Sequence, residues 1–138
     1  MAVDRLAPGY EPDWDIDYAV GHQAELFVAD LIASLEGGRV EVKRDAKAAA
    51  TGNIYVEFKC RRGGHFVPSG IATTTADAFA YVLGEGVVVF ATTAVLRSAC
   101  RRAYREGRIK DGGQRGSHPT VGVLVPVNEL LNRLMDAA

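Results

Sequence analysis

Residues 54–60 limit the fold of this chain more than any other segment. Apolar side chains stand at Ile54, Val56 and Phe58, and the residues that directly follow them are tyrosine, glutamate and lysine. Successive side chains of a β-strand point to opposite faces, so this alternation predicts a strand with one face in the core. Glu57 and Lys59 are then expected side by side on the other face.

The flanking segments predict a helix and a second strand before this one. A helix should begin near Asp15 or Asp17, run to about Leu35 and end at the glycine pair 37–38. Residues 39–44 alternate and predict a strand, and residues 45–53 predict a turn or widened hairpin between the two strands. The helix is expected to bury a stripe that consists of Val20, Ala24, Phe27, Leu31 and Leu35.

The rest of the chain alternates between strand-like and helix-like patterns. We expect strands at 65–68, 87–91 and 121–125, helices at 94–106 and 128–135, and a mobile glycine-rich loop at 110–119. The 87–91 strand is apolar throughout, which is typical of a strand covered on both faces. Thr74 and Asp77 have capping-box spacing, which predicts a helix to about Leu83. The order predicts an α/β fold with helices around a mixed central sheet, as one domain over 1–138 with an irregular arm at 1–14.

Composition excludes several classes of protein. Hydrophobic residues make up 48% of the chain, enough for a packed core. No apolar run approaches a membrane span, and the N-terminus does not resemble a secretory signal. Two cysteines do not form a disulfide framework, so we expect a reducing, cytoplasmic setting. No nucleotide-binding glycine motif or nucleophile elbow is present, so we expect no small-molecule cofactor.

Charge is distributed unevenly along the chain. Residues 1–36 hold one base and eight acids, so a net charge of −1 for the whole chain leaves +6 for the remainder. The bases form two groups: Lys43, Arg44, Lys47, Lys59, Arg61 and Arg62, and then Arg97, Arg101, Arg102, Arg105, Arg108, Lys110 and Arg115. Clustered bases favour a phosphate backbone as partner, although the second group is equally typical of a solvated helix face.

Asp45, Glu57 and Lys59 are the candidates for chemistry. A hairpin would bring Asp45 beside Glu57, and two close carboxylates suit Mg²⁺, with Mn²⁺ as a substitute. A bound divalent ion activates water and stabilises charge on a phosphoryl group, and Lys59 would add a point cation. The alternatives are ordinary: Glu-x-Lys on a strand is usually a solvated ion-pair edge, and a lone aspartate is usually a turn residue.

The pattern of Asp45 followed by Glu57-Phe58-Lys59 resembles the core of the PD-(D/E)xK nuclease superfamily. Gly21-His22-Gln23-Ala24-Glu25 further resembles the helix motif of archaeal-type Holliday-junction resolvases. The resemblance implies a restriction-endonuclease-like αβββαβ core, with Glu25, Asp45 and Glu57 as metal ligands and Lys59 as the catalytic lysine. Residues 68–77 resemble phage-encoded nucleases of this superfamily, which implies the host cytoplasm as location. Arg44 stands where the superfamily often has proline.

The resemblance implies a Mg²⁺-dependent endonuclease that resolves four-way DNA junctions as a homodimer. Alternatives are another nuclease of the superfamily (a nickase, flap nuclease or exonuclease) or a non-catalytic DNA-binding accessory protein with this fold. Ser69, Thr73 and Thr74 precede the helix predicted near Asp77, where they would either receive a phosphate or only cap the helix. The expected DNA-binding residues are Arg44, Lys47, Arg61, Arg62, Ser69, Thr74, Arg101 and Arg105.

Overall fold

The computed structural model describes residues 14–112 and 119–136, so the predicted N-terminal arm lies almost wholly outside the described residues. The helices are α1 (Trp14–Glu36), α2 (Ala48–Thr51), α3 (Thr93–Arg105) and α4 (Val127–Asp136). The strands are β1 (Val40–Arg44), β2 (Asn53–Arg62), β3 (His65–Pro68), β4 (Ala78–Gly84), β5 (Val87–Thr92), β6 (Ile109–Gly112) and β7 (Thr120–Pro126). A 3₁₀ turn, Gly70–Ala72, follows β3. No helix in 14–112 or 119–136 has the length and apolar character needed to cross a membrane.

The fold is α/β, as predicted, but the strands form two sheets and not one central sheet. The first sheet has the order β1-β4-β5, with β1 parallel to β4 and β5 antiparallel to it. The second has the order β3-β2-β7-β6 and is antiparallel throughout. The particular αβββαβ core implied by the resemblance is not confirmed by the described sheets and stays a prediction.

The core lies between the two sheets and helix α3. Ile54 and Val56 of β2 are fully buried, as the alternation predicted, and they meet Phe79 of β4 and Leu96 of α3 in one cluster. Burying such side chains contributes about 1.5–3 kcal/mol each. The strands at 65–68 and 121–125 and the helices at 94–106 and 128–135 are confirmed within one or two residues of the predicted ends.

The helix predicted after Thr74 is wrong, because residues 78–84 form strand β4. This segment is apolar on both faces and lies between β1 and β5, and that packing overrides the local capping pattern. The Thr74 hydroxyl accepts from the Ala76 N–H and donates to Glu41, while Asp77 pairs with Arg39. Part of the predicted 110–119 loop is also strand, since β6 ends at Gly112; residues 113–118 lie outside the described residues.

Two predictions of burial are wrong. Phe27 and Leu35 of α1 are exposed at 46% and 42%, and only Leu31 of the described stripe is buried, because α1 makes its main contact with β1 alone. Val20 lies outside the part whose side chains are described. Strand β5 is an edge strand with Val88 and Phe90 exposed, and so it is not covered on both faces.

Two glycines make room for the ring of Tyr55 on the second sheet. A Cβ at Gly122 would lie 2.5 Å from the Tyr55 ring, and one at Gly112 would lie 2.6 Å from it. The Tyr55 hydroxyl reaches the hydroxyl of Thr120, the first residue of β7, 2.8 Å away. The ring therefore covers bare backbone, an aromatic–glycine contact that fixes the side chain on this face.

Replacing Gly122 with alanine should destabilise the protein by about 1–3 kcal/mol, because the added methyl overlaps both the Tyr55 ring and the Val56 carbonyl. Urea unfolding measures this change. Gly84→Ala is the matched control: Gly84 also lies in a strand, and its new Cβ would meet nothing within 4 Å. Equal stability of the two variants would contradict the packing described.

Candidate active site

Asp45 follows β1 and is held by the backbone around it. Its Oδ1 accepts hydrogen bonds from the N–H groups of Lys47 and Ala48, both at 3.1 Å, and so closes the first turn of α2. Its Oδ2 accepts from the Tyr55 N–H at 2.8 Å. The predicted hairpin is wrong, since β1 and β2 belong to different sheets and α2 lies between them. The carboxylate nevertheless brings the two strands together.

A β-bulge changes the predicted relation between Glu57 and Lys59. Glu57 lies opposite Gly122 and Lys59 lies opposite Val121, so β2 has one extra residue at Phe58. Bulges re-aim the side chains on either side of them. The Phe58 carbonyl accepts from the Ser69 N–H at 3.0 Å, so the chain after β3 is fastened to the bulge.

Gly70 is required for this arrangement. It has φ of +54°, and a Cβ there would collide with the Glu57 carbonyl oxygen. The close contact between the 3₁₀ turn and the bulge thus depends on a residue without a side chain.

A cleft of about 530 Å³ lies where β1, α2, β2 and β6 meet, and we call it the Asp45–Glu57 cleft. Its floor is apolar, formed in part by Val56, Ile71 and Tyr81. Three carboxylates line it, on Asp45, Glu57 and Asp111, together with four cations, on Lys43, Arg44, Lys47 and Lys110. Lys43 is paired with Glu41 at 2.6 Å. The cleft therefore presents oxygen ligands and free positive charge in one place.

Lys59 and Glu25 lie elsewhere. Lys59 does not line the cleft; its Nζ is 5.1 Å from the centre of the Phe66 ring and 5.7 Å from that of Phe58. Glu25 lines a separate shallow pocket formed by α1 residues, including Val28 and Ile32. Of the four predicted catalytic residues, the structure brings only Asp45 and Glu57 together.

Glu57 and Lys110 occupy one row of the second sheet. Both are register partners of Gly122, from opposite sides of β7, so their side chains share a face. Gly122 places no side chain between them. Glu57 thus shares the cleft with a lysine across the sheet, and not with the lysine two positions along its own strand.

The Tyr55 side chain lies close to this row of residues, because its ring packs over Gly122. Burial raises the pKa of its hydroxyl, and the nearby carboxylates of Glu57 and Asp111 raise it further, against a lowering by the Thr120 hydrogen bond. The phenol is therefore neutral at physiological pH. The sequence predicts Tyr55 on the same side of the strand as Glu57. It places Lys110 and Asp111 in a loop, and the only feature that could have indicated a functional site there is their charge next to a pair of glycines.

Two of the carboxylates that line the cleft, those of Asp45 and Glu57, belong to the residues predicted to bind a divalent cation. Carboxylate oxygens from Asp45 and Glu57 are the ligand type that Mg²⁺ takes, with water and phosphate completing its octahedron. Within 14–112 and 119–136, no group of three or more His, Cys, Asp or Glu residues is placed to hold a metal ion. Three carboxylates therefore line the cleft without converging on one point.

The predicted DNA-binding residues divide into separate locations. Arg44 and Lys47 line the cleft, whereas Arg101 and Arg105 line a groove beside α3. Arg61 and Arg62 are exposed at the end of β2, next to the turn into β3. Ser69 is buried and begins the 3₁₀ turn, Thr74 is bonded to Glu41, and strand β4 follows where an α-helix was predicted. The α-helix start predicted near Asp77 is therefore wrong, and binding of DNA by Ser69 and Thr74 stays a prediction.

Asp45→Ala should lower the free energy of unfolding by about 2 kcal/mol, because three backbone N–H groups lose their acceptor. Glu57→Gln should change it by less than about 0.5 kcal/mol, since no hydrogen bond to Glu57 joins it to the described chain. Chemical denaturation of both variants and of Asp45→Asn, which keeps one acceptor oxygen, gives the comparison. Equal stability of Asp45→Ala and the unsubstituted protein would show that the carboxylate has no structural role.

Comparison with known proteins gives no relative. No protein-family model matches this sequence, and no curated protein or solved structure matches it either. The resemblance to PD-(D/E)xK nucleases rests on the residues quoted for it, and membership of that superfamily stays a hypothesis.

Proposed function

We propose that this protein is a divalent-metal-dependent DNA nuclease whose reaction takes place in the Asp45–Glu57 cleft. One observation carries the proposal: two carboxylates from different sheets meet in a cleft that is also lined by Arg44, Lys47 and Lys110. Hydrolysis of a phosphodiester needs oxygen ligands for a metal and cations for the phosphate, and this cleft supplies both.

The carboxylates of Asp45 and Glu57 are the residues that would hold Mg²⁺. When bound, the ion would supply a more acidic water and stabilisation of charge on the phosphate. Arg44 and Lys47 would orient the phosphate from the β1–α2 side. Asp45 stays fixed by its three N–H donors, which limits the loss of side-chain entropy when a ligand binds.

We assign the role of the active-site lysine to Lys110 in place of Lys59. Lys110 shares a sheet row with Glu57 and lines the cleft, whereas Lys59 lies against aromatic rings. A lysine beside a carboxylate pair can stabilise charge that develops on the phosphate oxygens. The neutral Tyr55 hydroxyl lies near Glu57 and adds a polar group to the same wall.

We further propose that the substrate is a four-way DNA junction and that the active form is a homodimer. Both follow the resemblance, and exposed apolar surface supports the homodimer. Leu26 and Ile32 of α1 are about half exposed. Val42 of β1 and Phe90 of β5 are register partners of Ala80, so they share an uncovered face of the first sheet. We propose that a second copy covers these surfaces, because an isologous dimer supplies the two sites that symmetric cleavage needs.

A non-catalytic DNA-binding protein is the second candidate, and the hydrogen bonding of Asp45 favours it. A carboxylate that already accepts three backbone N–H groups has less capacity left for a metal ion. In this alternative, the cations of the cleft bind a backbone and the two acids serve only the fold.

With Mg²⁺, the protein should cut a four-way junction faster than nicked, flap or linear duplex DNA of the same sequence, and EDTA should abolish cutting. Glu57→Gln should lower the rate by at least about 100-fold, since one metal ligand loses its charge. Glu85→Gln is the matched control, because Glu85 is exposed in the β4–β5 turn. Gel analysis of labelled products gives the rates.

The outcomes separate the candidates. Equal cleavage rates on all four DNA substrates would refute the preference for four-way junctions but not the proposed nuclease activity. Binding of DNA without cleavage in Mg²⁺ or Mn²⁺ would favour the non-catalytic alternative. Cleavage that Glu57→Gln leaves unchanged would refute the proposed site.

A further inference from the structure

A second groove lies beside the proposed active site, along helix α3. It has a volume of about 500 Å³ and is lined by Phe58, Ile71, Arg101, Tyr104, Arg105 and their neighbours. We call it the Tyr104 groove. Ile71 also lines the Asp45–Glu57 cleft, so the two depressions meet at the 3₁₀ turn.

The groove has an aromatic wall and an apolar base. The rings of Phe58 and Tyr104 meet edge to face, with centres 5.7 Å apart, and Tyr104 is 54% exposed. Cys100 lies at the base, and burial raises the pKa of its thiol to about 12, so it is uncharged. An exposed aromatic side chain above an apolar base is suited to receive a flat, uncharged ring.

The rim of the groove is positive. Arg97 is held by the fold, since it donates from Nε to the Ile71 carbonyl at 3.2 Å and from Nη2 to that of Thr74 at 3.1 Å. Arg101 and Arg105 are one helical turn apart and have no hydrogen-bond or ion-pair partner among the residues that the structure describes. No Asp or Glu of the described chain lines the groove. Two free guanidinium groups beside an aromatic wall complement an anion that carries an aromatic ring.

We propose that the Tyr104 groove binds one unpaired nucleotide of the DNA substrate, with its base against Tyr104 and Phe58 and its phosphates on Arg101 and Arg105. This inference rests on the proposed function in one respect, that the polyanion is DNA. Phe58 of the groove follows Glu57 of the cleft in the chain, and Ile71 lines both, so we place the nucleotide close to the phosphate in the cleft. The site thereby selects DNA in which a base near the scissile bond is unstacked, as at a branch point.

The test uses the full chain in EDTA, where no cleavage occurs. Two fluorescent single strands are compared by anisotropy: an oligothymidylate, and a strand of equal length and charge whose central nucleotides are abasic. The unsubstituted protein should bind the first roughly 5- to 150-fold more tightly, the range expected for one stacked base. Tyr104→Ala should bring this ratio close to one, and Tyr104→Trp should keep it.

Variants of the arginines test the other half of the proposal. Arg101→Ala and Arg105→Ala should weaken binding of both strands by similar factors and flatten the salt dependence, because they remove phosphate contacts. Arg102→Ala is the control, since Arg102 is on the same helix but pairs with Glu106 at 3.1 Å and does not line the groove. It should leave the affinity for both strands and the salt dependence of binding unchanged.

Two results would overturn the proposal: equal affinity of the unsubstituted protein for both strands, or a full preference retained by Tyr104→Ala. Failure of the nuclease proposal has a different signature, because a preference for the base in EDTA can persist when no cleavage follows in Mg²⁺. Conversely, cleavage in Mg²⁺ without a preference for the base would support the nuclease proposal for the cleft and refute nucleotide binding in the Tyr104 groove.

Discussion

The carboxylate of Asp45 is the contact on which the arrangement of the two sheets depends. It joins the end of β1, the first turn of α2 and the backbone of β2 through three hydrogen bonds. Without it, the two sheets would meet chiefly through apolar side chains, which do not specify direction. Because the same side chain lines the cleft, structure and proposed chemistry make competing demands on its oxygens. A single residue therefore couples the stability of the fold to the geometry of the site.

Residues without side chains place the remaining groups. Gly70 lets the 3₁₀ turn approach the bulge at Phe58, and Gly122 makes room for the Tyr55 ring on the face that Glu57 and Lys110 share. The strand pattern predicts Glu57 and Lys59 side by side, but the bulge lies between them. Lys59 lies against Phe66, whereas Glu57 lines the cleft. The proposed site is thus built across strands, with a groove for an unpaired base on its far side.

Much of the local structure could be predicted from the sequence, but the pairing of the strands could not. Strand β2 and helix α3 were predicted from the local pattern, and Ile54 and Val56 of β2 are buried as expected. Strand β4 was predicted as a helix, because local capping residues stood before an apolar segment whose conformation is set by its two neighbours. Asp45 and Glu57 line one cleft, although no hairpin joins their segments, and their proposed role there stays a prediction. Lys110 and Asp111 were missed, because sheet register is a property of the fold that no local pattern in 109–112 reveals.

The central claim is that the cleft, and not the Glu-x-Lys pattern along β2, defines the active site. Cleavage rates of Lys110→Ala and Lys59→Ala on a four-way junction in Mg²⁺ test it most directly, with unfolding curves to show that both variants are folded. We expect a loss of roughly 100-fold or more for Lys110→Ala and a change of no more than about threefold for Lys59→Ala. A large loss in Lys59→Ala with Lys110→Ala unaffected would contradict it.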